Sequence, residues 1–238
     1  MSQTSLKPLP TTEPVSWLGP LLAVLTVQAT ATFLTRIVPT LAPSLAARVD
    51  WPVESVGYLA ALITTGSLLS QLLCMPLLRR FGAMRSLQIG LAFGAVGALL
   101  SAAQQPAVLL AGCLLVGLCL GPPSLAGTHV LQRFAPAGHR SLMFSIKQAG
   151  VPLGSILAGL MLPLLAQKQS IEHAVVAAAA IALLTVAAVQ PLRRRVDSGR
   201  DPMQAMGWRV FVTLDNLRRP LGMLVSMPAL RRIGAAGA

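Results

Sequence analysis

Between residues 17 and 192 the chain reads as six apolar runs parted by short charged breaks, at about 17–46, 53–78, 86–103, 107–131, 143–166 and 171–192. Each meets or approaches the ~20 residues a helix needs to cross ~30 Å of hydrocarbon. That leaves little choice of fold. Lipid offers no water to backbone N–H and C=O groups, so each run must close its own hydrogen bonds as a helix. The expectation is an all-α membrane protein, a six-transmembrane-helix bundle over residues 17–192. Composition agrees: 54% of residues are hydrophobic and 11% charged, against about a quarter charged in a soluble domain.

The basic residues then set orientation. Arg79, Arg80 and Arg85 lie between runs two and three, Arg133, Arg140 and Lys147 between or beside four and five, and Arg193, Arg194, Arg195 and Arg200 after six. The alternate breaks are poor in cations: Arg48 beside Asp50 and Glu54, none near Gln104 and Gln105, and Lys168 beside Glu172. By the positive-inside rule both ends face the cytoplasm, in a cell inner membrane. Residues 1–16, polar and proline-containing, read as a cytoplasmic tail rather than a cleavable leader. Residues 193–227 mix arginines with Trp208, Val210, Phe211 and Leu214, a pattern open to an interfacial amphipathic helix or to a disordered loop. Residues 228–238 resemble the start of an incomplete seventh span, so the chain reads as truncated there.

The same distribution excludes several functions. A net charge of +12 would suggest nucleic acid in a soluble protein, but here the cations sit between spans and the few aromatics are too scattered for base stacking. Cys74, Cys113 and Cys119 fall inside spans without metal-ligand spacing and read as small packing residues. No nucleophile–base pair, metal cluster or phosphate-cradling loop is visible, so no catalytic residue, metal or cofactor is expected. Within the spans, Gly90/Gly94, Gly117/Gly121 and Gly150/Gly154 have the four-residue spacing that lets helix backbones approach. Gly121-Pro122-Pro123 must bend or interrupt the fourth span, since successive prolines remove helix hydrogen bonds.

After run two stands Met75-Pro76-Leu77-Leu78-Arg79-Arg80-Phe81-Gly82-Ala83-Met84, followed by Arg85. It resembles the Gly-x-x-x-Asp-Arg-x-Gly-Arg-Arg turn of the major facilitator superfamily, whose charges latch neighbouring helices. Arg80 and Gly82 match, whereas Met75 replaces the first glycine and Arg79 the acid, so the latch lacks its carboxylate. Run five opens on Lys147-Gln148-Ala149-Gly150-Val151-Pro152-Leu153-Gly154, similar to the fifth helix of bacterial members related to cyanate and nitrate transporters. The resemblance implies the N-terminal half of that fold, two three-helix repeats, with Arg79, Arg80, Gly82 and Arg85 as a conformational loop. It implies a secondary transporter working by alternating access, in which a second six-helix half completes the cavity.

Arg36 is the sharpest candidate for solute contact. A charge inside a span costs at least ~2.5–3.5 kcal/mol by insertion scales and usually faces protein or water. At 100° per residue Gln28, Thr32, Thr35 and Arg36 share one face with Pro39, a polar stripe ending in a guanidinium suited to carboxylates and oxyanions. Arg36 could equally snorkel to the outer interface. Lys147 reads as a gate or solute contact, or as a topology charge at the entrance to span five, and Gln148 as a cavity residue sharing a face with Ser155. Thr64, Ser67 and Gln71 suggest hydrogen bonds between helices. His129 is open to a proton-coupling or a structural role. The expected partners are the lipid bilayer and a small, anionic solute. The alternatives are a truncated, non-functional half-transporter or a six-helix protein that dimerises into a transporter or channel.

Overall fold

The computed structural model describes residues 17–52 and 55–197. The expected tail at 1–16, most of the basic segment at 193–227 and the seventh start at 228–238 lie outside them. The described residues form α1 (Leu18–Thr35), α2 (Ile37–Arg48), α3 (Val56–Phe81), α4 (Ala83–Ser101), α5 (Pro106–Leu118), α6 (Gly121–Phe134), α7 (Arg140–Lys168), α8 (Ile171–Val189) and α9 (Arg193–Val196). They make six stretches long and apolar enough to span a bilayer, and no strand is present among the described residues. Stretch three starts at Ala83 and stretch five at Arg140, each three residues before the position expected from hydropathy, and stretch six continues past Leu192 to Val196.

The first, fourth and sixth stretches are interrupted, and in the first and fourth proline explains the break. The first splits into α1 and α2 at Arg36, where Pro39 cannot donate to the carbonyl of Thr35 four residues back and its ring crowds that carbonyl. The fourth splits into α5 and α6, with Pro122 and Pro123 in the first turn of α6. Across that break Cys119 and Leu120 donate to carbonyls only three residues back, at 3.2 Å each. Pro122 leaves the Leu118 carbonyl without its helical donor. The hydroxyl of Ser70, on α3, donates to that oxygen at 2.6 Å, so a neighbouring helix makes good the lost bond. Ser70→Ala is expected to lower stability by about 1 kcal/mol, read as a lower melting temperature in detergent with the helical content unchanged.

Small residues set how closely the helices approach. A Cβ on Gly117 would lie 2.2 Å from the Ile63 carbonyl oxygen, and one on Gly121 would meet Ser70, so α3 rests against the α5–α6 junction. Gly90 meets Pro122, and Gly94 meets Leu34 and Cys119. A Cβ on Gly154 would stand 2.2 Å from the Ala29 carbonyl, and one on Gly150 3.0 Å from that of Leu25. These contacts run in one direction along both chains, so α1 and α7 lie parallel, backbone to backbone. Behind them α4 and α8 pair through Gln88, whose side-chain amide donates to the Val186 carbonyl at 3.1 Å and to Oε1 of Gln190 at 2.6 Å. The core between these layers holds Leu34, Ile37, Leu59, Met84, Leu87 and Leu91, all fully buried.

The turn between α3 and α4 closes on a carboxylate from far along the chain. Gly82 has φ +89°, a left-handed conformation that disfavours any Cβ. Immediately after it, the backbone N–H groups of Met84 and Arg85 donate to the two oxygens of Asp197, at 2.9 and 3.2 Å. Asp197 therefore caps α4, which accounts for the helix starting earlier than its apolar run. The acid missing at Arg79 has a counterpart here, supplied from the end of the sixth stretch. Beside it Arg133 donates to the Val196 carbonyl at 3.0 Å.

Candidate solute-binding cavity

The Arg36 break, the α5–α6 break and the parallel α1–α7 pair together frame one polar cavity of about 640 Å³. Its walls come from stretches one, two, four and five: Gln28, Thr32, Thr35 and Arg36, then Thr64 and Ser67, then Ser124 and Thr128, then Lys147 and Gln148. Stretches three and six stand behind and contribute no lining residue. The first two spans of each trio thus build the cavity, and the third of each supports it. Thr64, Ser124 and Gln148 are exposed, so the cavity is open on one side of the bundle.

Arg36 reaches the cavity because the helix breaks there. Its Nε donates to the Ser155 hydroxyl of α7 at 3.3 Å, and the side chain remains exposed. Of the two roles open to Lys147, its burial goes with an inward-facing cation. Instead of sitting as a topology charge at the mouth of span five, it is 5% exposed. Its Nζ donates to the Thr128 hydroxyl at 3.2 Å and to the Ser124 carbonyl at 3.5 Å. Gly127 makes room for it, lying 3.3 Å from the Lys147 Cε at the position a Cβ would occupy. Neither cation has a carboxylate partner among the described residues, and no Asp or Glu lines the cavity.

Four of the lining hydroxyls bond within their own helix, that of Thr35 to the Thr32 carbonyl three residues back at 2.8 Å. Those of Thr64, Ser124 and Thr128 turn back to the carbonyl four residues earlier in their own helix, at 2.6–3.0 Å. The Thr32 hydroxyl is buried on the cavity wall with no hydrogen-bond partner among the described residues. A buried unpaired hydroxyl is costly.

Of the expected site residues, the structure brings Gln28, Thr32, Arg36, Lys147 and Gln148 to one cavity. Arg79 and Gly82 instead lie around a smaller space of about 200 Å³ with His129, Arg133 and Asp197, His129 following the cavity residue Thr128 on α6. Arg80 and Arg85 flank the same turn. His129 is therefore outside the polar cavity. The expected hydrogen bonds between helices from Thr64 and Gln71 are not made: Thr64 bonds to Ala60 and Gln71 to Ser67, both within α3. Ser124 and Thr128 escaped the sequence reading. Their four-residue spacing after Pro123 was the available signal, and only the position of Lys147 gives it meaning.

The family model of the Major Facilitator Superfamily matches residues 21–235. The chain belongs to the major facilitator superfamily. No curated protein matches it. As a major facilitator it is a multi-pass membrane protein of a transporter family and not an enzyme.

Proposed function

We propose that this major facilitator carries a small anion across the membrane by alternating access, with Arg36 as its positive anchor. The observation that supports this most is the cavity's charge: Arg36 and Lys147 line it without any carboxylate. Burying or half-burying a cation without a counter-ion is expensive, and an anionic occupant offsets that cost. The likeness of the run from Lys147 to Gly154 to anion-transporting members points the same way. Arg79, Arg80, Arg85, Arg133 and Arg140 gather at one end of the bundle, which we assign to the cytoplasmic face of an inner membrane. The turn at Gly82, with these arginines around it, is the conformational element at that face.

The open side of the cavity calls for a second six-helix wall, because Thr64, Ser124 and Gln148 would otherwise turn polar groups toward hydrocarbon. Such a wall, rocking against this bundle, would expose the cavity alternately to either side.

Ligand-induced thermal shifts of the purified protein test the anion reading. A ligand that binds only the folded state stabilises it by RT ln(1 + [L]/Kd). Carboxylates or oxyanions should raise the melting temperature in a saturable way, while choline and glucose should not. Stabilisation by the cation or the neutral sugar, with none by any anion, would overturn the proposal.

A further inference from the structure

We infer that the end of the sixth stretch binds an anionic phospholipid, with Arg193, Arg194 and Gln190 on its phosphate and the exposed face of α8 along an acyl chain. This site is independent of the anion reading above, since none of these residues lines the polar cavity. Its first support is a recess of about 610 Å³ lined by Ala187, Gln190, Pro191, Arg193 and Arg194. No Asp or Glu lines it. Neither Arg193 nor Arg194 has an ion pair or a hydrogen-bond partner among the described residues.

Gln190 adds a donor of fixed orientation. The Val186 carbonyl can only accept, so the end of the Gln88 side chain that meets it is the NH2. That same NH2 meets Gln190, which therefore presents its oxygen to Gln88. The NH2 of Gln190 is left over, without a partner among the described residues. Two guanidinium forks and an amide, with no carboxylate between them, suit a phosphate diester. The ammonium of a zwitterionic headgroup would find no counter-charge in the recess and would be repelled by both arginines.

The surface leading to the recess distinguishes a lipid from a free phosphate. Val176, Ala180, Leu183, Leu184 and Ala187 are all exposed. At 100° per residue they fall within about 100° of one another, an apolar strip that ends in the recess. The other face of α8, through Ala174, Ala178, Ala182 and Thr185, packs into the bundle. From Val176 to Ala187 the helix rises about 16 Å at ~1.5 Å per residue. That is close to the depth of one leaflet, half of the ~30 Å hydrocarbon core. An acyl chain along this strip thus reaches the middle of the bilayer when its phosphate stands at the two arginines, as expected of a basic recess at the end of a membrane helix.

The experiment follows the melting temperature of the delipidated full chain in detergent as lipid is added. The proteins compared are wild type, Arg194→Gln, the double variant Arg193→Gln/Arg194→Gln, and Lys168→Gln, which removes an exposed cation at the end of α7. Dioleoyl phosphatidylglycerol should raise the melting temperature saturably in wild type and in Lys168→Gln, whereas dioleoyl phosphatidylcholine should not. The apparent affinity for phosphatidylglycerol should fall several-fold in Arg194→Gln and at least about tenfold in the double variant. Equal stabilisation by the two lipids would overturn the site, as would a phosphatidylglycerol effect that survives in the double variant or is lost equally in Lys168→Gln. Any shift caused by glycerol 3-phosphate should be the same in the double variant as in wild type. A glycerol 3-phosphate shift that vanishes with the two arginines would make this a site for free phosphate and overturn the lipid. Arg36→Gln should keep the full phosphatidylglycerol response, so this result and the anion reading stand or fall separately. Melting temperatures without lipid separate a binding defect from a folding one.

Discussion

Gly154→Leu is expected to be the most damaging single substitution in the bundle. A Cβ at this position would stand 2.2 Å from the Ala29 carbonyl oxygen, 2.9 Å from the Thr32 Cβ and 3.0 Å from the Phe33 nitrogen. Two of these are backbone atoms, which cannot swing aside as the end of a long side chain can. The helices must separate along the whole seam or the leucine must leave its rotamer wells. Overpacking of this kind costs about 1–3 kcal/mol and occasionally more. Because association of helices in lipid depends on close packing rather than on a hydrophobic drive, little remains to hold the widened pair. The variant should lose its monodisperse peak in size-exclusion chromatography and melt at a clearly lower temperature. Gly159→Leu, on the same helix but with nothing within 4 Å of its Cβ position, should behave as wild type. If both variants melt alike, the seam is not what holds α1 to α7.

Arg36→Glu should produce the largest loss of solute binding. The substitution removes an attraction and installs a repulsion in the same place. Two unit charges 4 Å apart interact by about 4 kcal/mol at an effective dielectric of ~20, and every 1.4 kcal/mol is about tenfold in affinity. Even after generous allowance for water in an open cavity, anion affinity should fall by at least about 100-fold. Arg48→Gln is the control. Arg48 lies outside the cavity, paired with Glu172 and donating to the Ala102 carbonyl at 3.4 Å, and with the carboxylate 52% exposed that ion pair is weak. Anion binding should therefore survive Arg48→Gln. Equal affinities in the two variants would remove Arg36 from the site.

The spans were legible because hydrocarbon thickness acts on each run separately. The break before Pro122 was legible for a similar reason, since a missing N–H is a local fact. Arg36 stood out because a charge inside an apolar run is conspicuous by itself. Lys147 was not readable in the same way. A cation near the end of a run looks alike whether it leans to the interface or turns inward, and the difference is made by Gly127 and Thr128 on another helix. The Thr64 and Gln71 side chains went astray for a related reason. Periodicity says which residues share a face but not whether a hydroxyl will find a partner across it, and a helix always offers its own carbonyl four residues back. Ser124 and Thr128 followed from neither hydropathy nor charge.

The carboxylate of Asp197 that closes the first turn of α4 lies 113 residues after the amide of Met84 and 112 after that of Arg85. During synthesis the third span is made and can enter the bilayer long before that carboxylate exists. Until the sixth span is in place, the Met84 and Arg85 amides must be served by water or lipid headgroups at the membrane surface. The cap is thus a late step in biogenesis, one that joins the beginning of the third span to the end of the sixth once all six have been inserted. Pulse-labelled chains released at successive lengths should show protease protection of the Gly82 turn only when residue 197 has cleared the ribosome.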